Sequence, residues 1–418
     1  MLDFSQLVPE IAVMADAHGA RAGDAAQSLA EALEHLQNLS GGWAELAESL
    51  RGREWPWLMA VPREPLALRS PAPLPPPCHA VVSSDGSQIA PDRHEVSSCY
   101  LLNISRIRLS YGDGERPLMA SQPHLYYDEK DLAVEEGGVR LPIEGKYLAI
   151  RRMLEETIQL VDLLCETVGP DRPCIGMADG TLIQWPISRE AQGYSGQALD
   201  TFLRTLDRAM ERRAPVVGYI SNPGGSSVVA TLRAALCPAG YLTGARCPCL
   251  KNAAPVQGSP SPSPEDAESP VAPAGAVAGG PRPCELLALT SDSRLFGRLL
   301  GPGERSAVFE STSQVLSRYG PHAIYFFYLN VGREIARIEL PQWAAEDKTM
   351  LDLIHSIVMD QASKGYGYPV VLSEAHQQAV VQASDRSLFY QMVEKAYLKR
   401  GLPAEFSLKS ISKRQPMV

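Results

Sequence analysis

The stretch "AVVSSDGSQIAPDRH", residues 80–94, decides how the fold of this chain is interpreted. It begins as a short apolar strand and runs into Asp85-Gly86-Ser87. A second stretch, "CIGMADGTLIQW" at residues 174–185, again ends an apolar run on Asp179-Gly180-Thr181. Asp-Gly is first of all a turn signal, because glycine accepts positive φ and aspartate caps its own turn. The alternative is that each strand end holds a carboxylate rigidly at a sheet edge, within reach of a metal ion or substrate.

The elements around these stretches predict a mixed α/β sheet. Their order is strand, strand, strand, helix, strand, at residues 79–85, 96–111, 117–127, 144–166 and 174–179. Short turns join the first three strands, as in an antiparallel meander. The fourth strand follows a helix and can therefore lie parallel to the first. In that case the first and fourth strands are neighbours, and Asp85 and Asp179 lie side by side.

The rest of the chain divides by composition. Leu29, Leu33 and Leu36 lie at helical spacing within a helical stretch from residue 10 to 52, which favours core packing over a dimer arm. Residues 252–283 have almost no large apolar side chain and predict a flexible insertion. The predicted parts are an N-terminal helical region, a Pro-rich linker, a main folded domain in two pieces, the low-complexity insertion and a C-terminal tail, at 1–62, 63–77, 78–246 with 285–405, 247–284 and 406–418.

Composition and charge narrow the class of protein. With 418 residues, 45% hydrophobic and 21% charged, the chain is typical of a globular protein with a large core. It has no run of eighteen apolar residues and no signal peptide at its start, so we expect a cytoplasmic protein without a membrane partner. A net charge of −9 argues against a basic nucleic-acid coat, but not against an acidic metal site beside a local basic groove.

The eight cysteines do not predict a secreted disulfide scaffold. Four of them flank the low-complexity insertion: Cys237, Cys247, Cys249 and Cys284. The Cys-Pro-Cys spacing is tighter than the spacing of a zinc knuckle. We therefore favour free thiols, and a small structural zinc site stays open as the alternative.

The helix between the two Asp-Gly motifs adds further carboxylates. It carries Glu155 and Glu156, one of which can project over the same sheet edge as Asp85 and Asp179. Three carboxylates at one point are typical of a Mg²⁺ or Mn²⁺ site. Such a site suits phosphodiester hydrolysis. Because like charges at short range raise one another's pKa, the cluster is expected to depend on a bound metal.

The order of elements and acids resembles the ribonuclease H-like nuclease arrangement. The segments "VVSSDGSQI", "GMADGTLIQW", "GYISNPGGSSVVATLRAALC", "GERSAVFES" and "GYGYPVVLSEAHQQAVV" resemble the NurA family of DNA-end-processing nucleases, of the cyanobacterial type. The resemblance covers roughly residues 78 to 400. It implies a ribonuclease H-like mixed sheet flanked by helices, with an N-terminal helical arm and a C-terminal α+β extension.

The resemblance also implies a function. A member of this family is a Mn²⁺-dependent DNA nuclease, with Mg²⁺ as the alternative ion, that has 5′→3′ exonuclease and single-strand endonuclease activity. It implies action on single-stranded DNA and duplex ends in double-strand break repair. The implied partners are a HerA-type hexameric ATPase and a second copy of the chain.

Residue by residue, the family motifs match Asp85 and Asp179, which are expected to bind the metal. The helical acid matches less clearly, and Glu156 is favoured over Glu155 because of its position relative to Leu160 and Leu163.

The C-terminal motif matches Tyr368 and His376. His376 is a candidate metal ligand or a group that positions water, and Tyr368 a candidate base-stacking or phosphate-binding group. The alternatives are a helix cap or core residue for His376 and simple packing for Tyr368. Arg305 and Arg337 are candidate DNA phosphate contacts, although surface ion pairing is the favoured account of both.

Two other functions remain open from the sequence. One is a non-catalytic adaptor with the same fold that docks a motor ATPase or a DNA end. The other is a nucleotide-binding, ATPase-like module, because Asp-Gly-Ser and Asp-Gly-Thr also contact phosphates in folds of this shape.

Overall fold

The computed structural model describes residues 4–52, 55, 57–91, 99–185, 187, 193–237, 284 and 287–402. The strands are β1 (Ala60–Pro62), β2 (Ser70–Pro71), β3 (His79–Ser83), β4 (Gly86–Ile89), β5 (Tyr100–Tyr111), β6 (Leu118–Tyr126), β7 (Ala133–Glu136), β8 (Val139–Pro142), β9 (Cys174–Asp179), β10 (Val216–Ser221), β11 (Glu304–Arg305), β12 (Phe309–Ser311), β13 (Ile324–Asn330) and β14 (Ile335–Pro341). The helices are α1 (Phe4–Leu39), α2 (Trp43–Leu50), α3 (Lys146–Thr167), α4 (Gly193–Glu211), α5 (Ser227–Ala235), α6 (Asp292–Leu299), α7 (Gln342–Ala345), α8 (Lys348–Lys364), α9 (Val370–Ala379) and α10 (Ala383–Lys399).

The chain forms two compact units. The first consists of Met1–Pro71, Ser221–Gln314 and Tyr325–Arg337, and the second of Ala72–Ile220, Val315–Ile324 and Ile338–Val418. The predicted main domain is thus divided between both units. The predicted insertion, apart from Cys284, and the predicted tail lie outside the described residues. No described helix is both long enough and apolar enough to cross a bilayer.

The first unit contains the N-terminal helices. Its core packs Leu36 of α1 and Leu50 of α2 with aromatic side chains that include Phe296 and Tyr328. The predicted core packing of α1 is correct only for its C-terminal half, because apolar side chains near its start, such as Phe4, are exposed. Strands β1, β12 and β13 pair antiparallel in this unit.

The segment predicted as a linker, residues 63–77, is partly built into the first unit. Leu66 is fully buried in the core, and Glu64 accepts hydrogen bonds from Arg305. Ser70 and Pro71 form β2, which pairs with β11. The linker prediction was therefore wrong up to Pro71, because one apolar side chain and one ion pair anchor a Pro-rich stretch.

The sheet of the second unit carries the two Asp-Gly motifs. Strand β3 pairs parallel with β9, and β9 pairs parallel with β10. On its other side β3 pairs antiparallel with β5, which also pairs antiparallel with β6. The strand order β10-β9-β3-β5-β6, with α3 before β9 and α4 before β10, is the ribonuclease H-like order. This confirms the predicted meander and the predicted parallel contact between the first and fourth predicted strands.

The first Asp-Gly motif is not the strand end that the sequence suggested. Ser83 lies opposite Ile107, and Gly86 lies opposite Ile104, so β3 and β4 keep one register along β5. Only the ladder at Asp85 is altered, where the backbone N–H donates to the Ser105 hydroxyl at 2.9 Å. The strand therefore continues through Asp-Gly with a local interruption.

Helices flank this sheet. Side chains at alternate positions of β3, Ala80 and Val82, pack in a cluster with Leu160 and Leu164 of α3. The C-terminal α9 packs on β5 and its neighbours. The predicted C-terminal α+β extension therefore includes a helix, α9, that packs directly on the strands of this sheet.

Candidate active site

Asp85 lies at the interruption between β3 and β4. Its carbonyl oxygen accepts from Ser105 N–H at 2.8 Å, and its Oδ1 accepts from Gly86 N–H at 2.8 Å. The side chain is 23% exposed. These two hydrogen bonds, together with the bond from Asp85 N–H to the Ser105 hydroxyl, hold a partly exposed carboxylate between β3 and β4.

Gly86 is required by a close approach and not by a turn. A Cβ at this position would lie 2.6 Å from Glu156 Oε1, 2.8 Å from Ile104 Cδ1 and 3.1 Å from Arg152 Cγ. Its φ is not in the left-handed region, so the absence of a side chain is what matters. The glycine lets the Glu156 carboxylate of α3 reach the strand beside Asp85.

Glu156 is a buried acid in an unfavourable environment. Burial raises the pKa of Glu156 to about 8; Arg152 opposes this rise, while the charges of Asp85 and Asp179 add to it. Arg152 Nη1 lies 3.3 Å from Glu156 Oε1, but this oxygen has no well-aligned hydrogen-bond donor among the described residues. The structure thus brings Glu156 to the two aspartates and leaves one of its oxygens without a donor.

Asp179 ends β9, and the chain bends at Gly180 directly after it. Gly180 has φ +98°, and its N–H donates to Tyr219 O at 2.8 Å. In the β3–β9 register Ser83 lies opposite Met177, so two residues further on Asp85 is level with Asp179. Burial raises the pKa of Asp179, and the neighbouring Asp85 charge adds to this.

His376 and Tyr368 each contact one of these aspartates. His376 Nδ1 lies 3.0 Å from Asp85 Oδ2, and the imidazole is 68% exposed. Tyr368 hydrogen-bonds Asp179, which opposes the rise in the pKa of that carboxyl, and packs edge-on against Tyr219 at 5.4 Å. His376 lies in the last turn of α9, so it is neither the helix cap nor the core residue considered as alternatives.

Glu155 points to a different cluster from Glu156. Arg151 Nε lies 3.4 Å from Glu155 Oε1, and the Arg151 guanidinium lies 5.1 Å from the Tyr126 ring centroid. The Glu155 charge acts on the tyrosines of this cluster, Tyr126 and Tyr194. Adjacent positions on α3 therefore separate the two glutamates, as helical geometry requires.

Arg305 and Arg337 are engaged within the first unit. Arg305 is 3% exposed and binds Glu64 through both terminal nitrogens, at 2.7 and 3.2 Å. The Arg337 guanidinium lies 3.5 Å from the Phe326 ring centroid and 3.4 Å from Ser227 Oγ. The sequence predicted a surface ion pair, whereas the Arg305 guanidinium is buried against the partly exposed Glu64, which leaves it little surface for contact with a DNA phosphate.

Several residues that the sequence did not single out support the site. Arg152 donates to Gly86 O at 2.6 Å, and its spacing of four from Glu156 was a usable signal. Asn103 donates to Ala379 O at 2.9 Å and so holds the C-terminal end of the His376 helix. Nothing in the local sequence of Asn103 indicates this contact.

Glu339 supports the second motif from a distant part of the chain. It is 1% exposed, and its Oε2 accepts from Thr181 Oγ1 at 2.8 Å and from Leu182 N–H at 2.9 Å. This buried acid fixes the turn after Asp179. Its separation of more than 150 residues from Thr181 explains why sequence patterns did not reveal it.

The donor set fits a divalent metal in chemistry and electrostatics. Asp85, Glu156 and Asp179 supply carboxylate oxygens, the ligands that Mg²⁺ and Mn²⁺ prefer. The donor-free Glu156 oxygen and the raised pKa of Glu156 both indicate a place where a cation would relieve an unfavourable charge. In the described parts of the chain, no group of three or more His, Cys, Asp or Glu side chains is spaced so that it could hold a metal ion as it stands.

The zinc alternative concerns residues that are only partly described. Cys237 is a free thiol, and Cys284 is buried with its carbonyl oxygen accepting a hydrogen bond from Arg233. Cys247 and Cys249 lie outside the described residues.

The fold and the site define an α/β protein with a carboxylate cluster on a ribonuclease H-like sheet. The NurA domain family matches residues 79–381, and the chain belongs to this family. No curated protein sequence matches the chain significantly.

Solved structures of the same family show distant similarity. The NurA nuclease from Sulfolobus solfataricus has 12% identity and a TM-score of 0.45, with 79% of this chain and 88% of that chain covered. NurA bound to dAMP and manganese has 11% identity and a TM-score of 0.32, with 79% of this chain and 90% of that chain covered. The family assignment rests on the domain match and not on these scores.

Proposed function

We propose that this protein is a metal-dependent DNA nuclease. The proposal rests on the proximity of Asp85, Glu156 and Asp179 on the sheet of a NurA domain, where Asp85 is level with Asp179 and Glu156 lies against Gly86. Its relatives of known structure include a NurA nuclease and a NurA bound to dAMP and manganese, which is consistent with such a function.

The three carboxylates would hold the metal. A bound divalent ion activates water and stabilises charge on a scissile phosphate. Asp85 is fixed by Ser105 and Gly86, and the Thr181 turn that follows Asp179 is fixed by Glu339. This rigid support is what a metal site needs, because its ligands must keep their geometry while substrate binds.

His376 and Tyr368 would orient the two aspartates. With a proton on Nδ1, His376 donates to Asp85 and keeps Nε2 as the nitrogen that accepts a proton from water or binds the metal. The Tyr368 hydroxyl donates a hydrogen bond to one oxygen of Asp179, so that the other carboxylate oxygen would remain available to the metal. In this proposal both residues act on the reacting groups, and Glu155 does not.

The finer activity follows the family. We assign to the protein Mn²⁺, with Mg²⁺ as the alternative ion, and 5′→3′ exonuclease together with single-strand endonuclease activity at DNA ends. It would act as a homodimer with a HerA-type ATPase in double-strand break repair. We also assign the protein to the cytoplasm.

Cleavage of end-labelled single-stranded and duplex DNA with Mn²⁺, Mg²⁺ or EDTA tests the proposal. Wild-type protein and the Glu155→Ala control should degrade DNA only with metal, and Asp85→Ala should not, although it remains folded. Metal-dependent cleavage that survives in both Asp85→Ala and Asp179→Ala would refute the assignment. DNA binding without cleavage by the wild type, with the ATPase present, would favour the non-catalytic adaptor.

A further inference from the structure

The turn between α8 and α9 places a tyrosine where a glycine is normally found. Helix α8 ends at Lys364, and Gly367 N–H donates back to Ala362 O at 2.8 Å, the hydrogen bond of a Schellman ending. The residue enclosed by this bond is Tyr366, with φ +57°. The left-handed conformation is costly for a residue with a Cβ. Glycines stand on both sides, yet this position has a large side chain.

The contacts of the Tyr366 side chain do not offset the energetic cost of this backbone conformation. The Tyr366 side chain is 82% exposed, so it buries almost no apolar area. Strained residues that the surrounding packing does not explain are characteristic of ligand sites. A large, flat and amphipathic side chain held in solvent is suited to stacking on another flat group.

The same turn delivers two residues of the candidate active site. Tyr368, two positions after Tyr366, is fixed by Asp179 and by Tyr219. Helix α9 follows directly and carries His376 to Asp85. Because consecutive Cα atoms are about 3.8 Å apart, the Tyr366 backbone lies within about 8 Å of that of Tyr368.

Tyr368 itself is poorly placed for stacking. It is only partly exposed, its ring is packed edge-on against Tyr219, and its hydroxyl is engaged by Asp179. The stacking role that the sequence suggested for Tyr368 is therefore better satisfied by Tyr366.

We propose that Tyr366 stacks on an unpaired nucleobase of the DNA strand next to the cleavage site. This inference rests on the proposed nuclease function and adds a subsite to it. Stacking on an aromatic ring is tolerant of base identity, so the subsite would recognise single-stranded character and not sequence. The rigid Schellman turn would hold the ring in place before DNA binds.

The test compares Tyr366→Gly and Tyr366→Trp with the wild type, and uses Tyr127→Ala, another exposed tyrosine, as a control. Binding of a short labelled oligothymidylate is measured by fluorescence anisotropy with Ca²⁺ in place of the catalytic metal. Tyr366→Gly should lose about tenfold in affinity, within the range of one base–aromatic stack. Tyr366→Trp and the Tyr127 control should bind like the wild type.

Two further readouts separate stacking from a structural effect. The urea midpoint of Tyr366→Gly should rise, because the glycine removes the left-handed strain while binding weakens. Moving a single abasic residue along the oligonucleotide should weaken wild-type binding at one position and leave Tyr366→Gly unaffected there.

If the wild type binds DNA and Tyr366→Gly binds equally well, or loses affinity and stability together, the stacking role is refuted while the nuclease assignment stands. If the wild type neither binds nor cleaves DNA with any metal, the proposed function fails and the subsite with it.

Discussion

Replacing Glu156 by glutamine should stabilise the metal-free protein while it abolishes cleavage. The carboxyl of Glu156 is buried beside Asp85 and Asp179, and its pKa is raised to about 8 from an ordinary value of 4.5. Below its ordinary pKa the acid is protonated in both the folded and the unfolded chain, so it does not change the free energy of unfolding. As pH rises from 4.5 toward 8, the unfolded chain releases the proton and the folded chain retains it, so wild-type stability falls.

The size of the effect follows from the pKa difference. Each pKa unit corresponds to about 1.4 kcal/mol, so a rise from 4.5 to about 8 allows a contribution of up to about 5 kcal/mol. Because the side chain is 22% exposed and solvent screens its charge, we expect about 3 kcal/mol at alkaline pH. Glutamine has nearly the same shape and no charge, so it avoids this cost.

Urea unfolding in EDTA at about pH 4 and about pH 8.5 measures the effect. Glu156→Gln should match the wild type at the acidic pH and exceed it at the alkaline pH. Glu155→Gln is the matched control, because its carboxylate pairs with Arg151 and its removal should give no gain. Equal pH profiles for wild type and Glu156→Gln would refute the account of a strained carboxylate cluster.

Other predictions follow from single contacts. Gly86→Ala should cost about 1–3 kcal/mol in urea unfolding and abolish cleavage, because its Cβ would overlap the Glu156 carboxylate; normal stability and activity would contradict the close approach. Asn103→Ala should lower the free energy of unfolding by only about 1 kcal/mol. It should lower the cleavage rate more than the DNA affinity, because it releases the C-terminal end of the helix that carries His376. An unchanged rate constant would argue against a role of Asn103 in positioning His376. Arg305→Ala should cost about 2–4 kcal/mol by removing the buried guanidinium that pairs with Glu64, with DNA affinity of the folded protein unchanged. A selective loss of DNA binding would support the phosphate-contact hypothesis.

The strand order was predictable because local patterns and connection rules were sufficient. Apolar runs separated by short turns gave an antiparallel meander, and a helix before the next run made a parallel neighbour reasonable. The pairing of β3 with β9 then placed Asp85 level with Asp179. The same reasoning could not choose firmly between Glu155 and Glu156, because a helix boundary shifted by one residue exchanges their directions.

The identical dipeptide Asp-Gly has two different physical roles here, which no local pattern could distinguish. After Asp179 the glycine has positive φ and ends the strand. After Asp85 the strand continues, and the glycine makes room for a glutamate from a helix seventy residues away. The turn propensity of Asp-Gly is a local property, whereas this close approach depends on the tertiary packing of α3.

Long-range polar contacts were also beyond the sequence. Helix α5 follows the Gly-rich segment "SNPGGSS" at residues 221–227, whose serines are N-cap candidates by residue type. Its first N–H groups instead bind the fully buried Asp292, which accepts from Val228 and Val229. Likewise Arg305 was treated as a surface charge because its partner, Glu64, lies in a segment that resembled a linker.

Direct Mn²⁺ binding is the simplest test of a metal site at Asp85, Glu156 and Asp179, because the measurement does not depend on the DNA substrate, a protein partner or the polarity of cleavage. Electron paramagnetic resonance would count free Mn²⁺ during a titration of wild-type protein, the Asp85→Asn/Asp179→Asn variant and the Glu155→Gln control. The carboxylate cluster predicts saturable binding by the wild type and the control, and a loss of at least about tenfold in affinity for the double variant. Equal binding by all three proteins would contradict the account and would place any metal elsewhere in the chain.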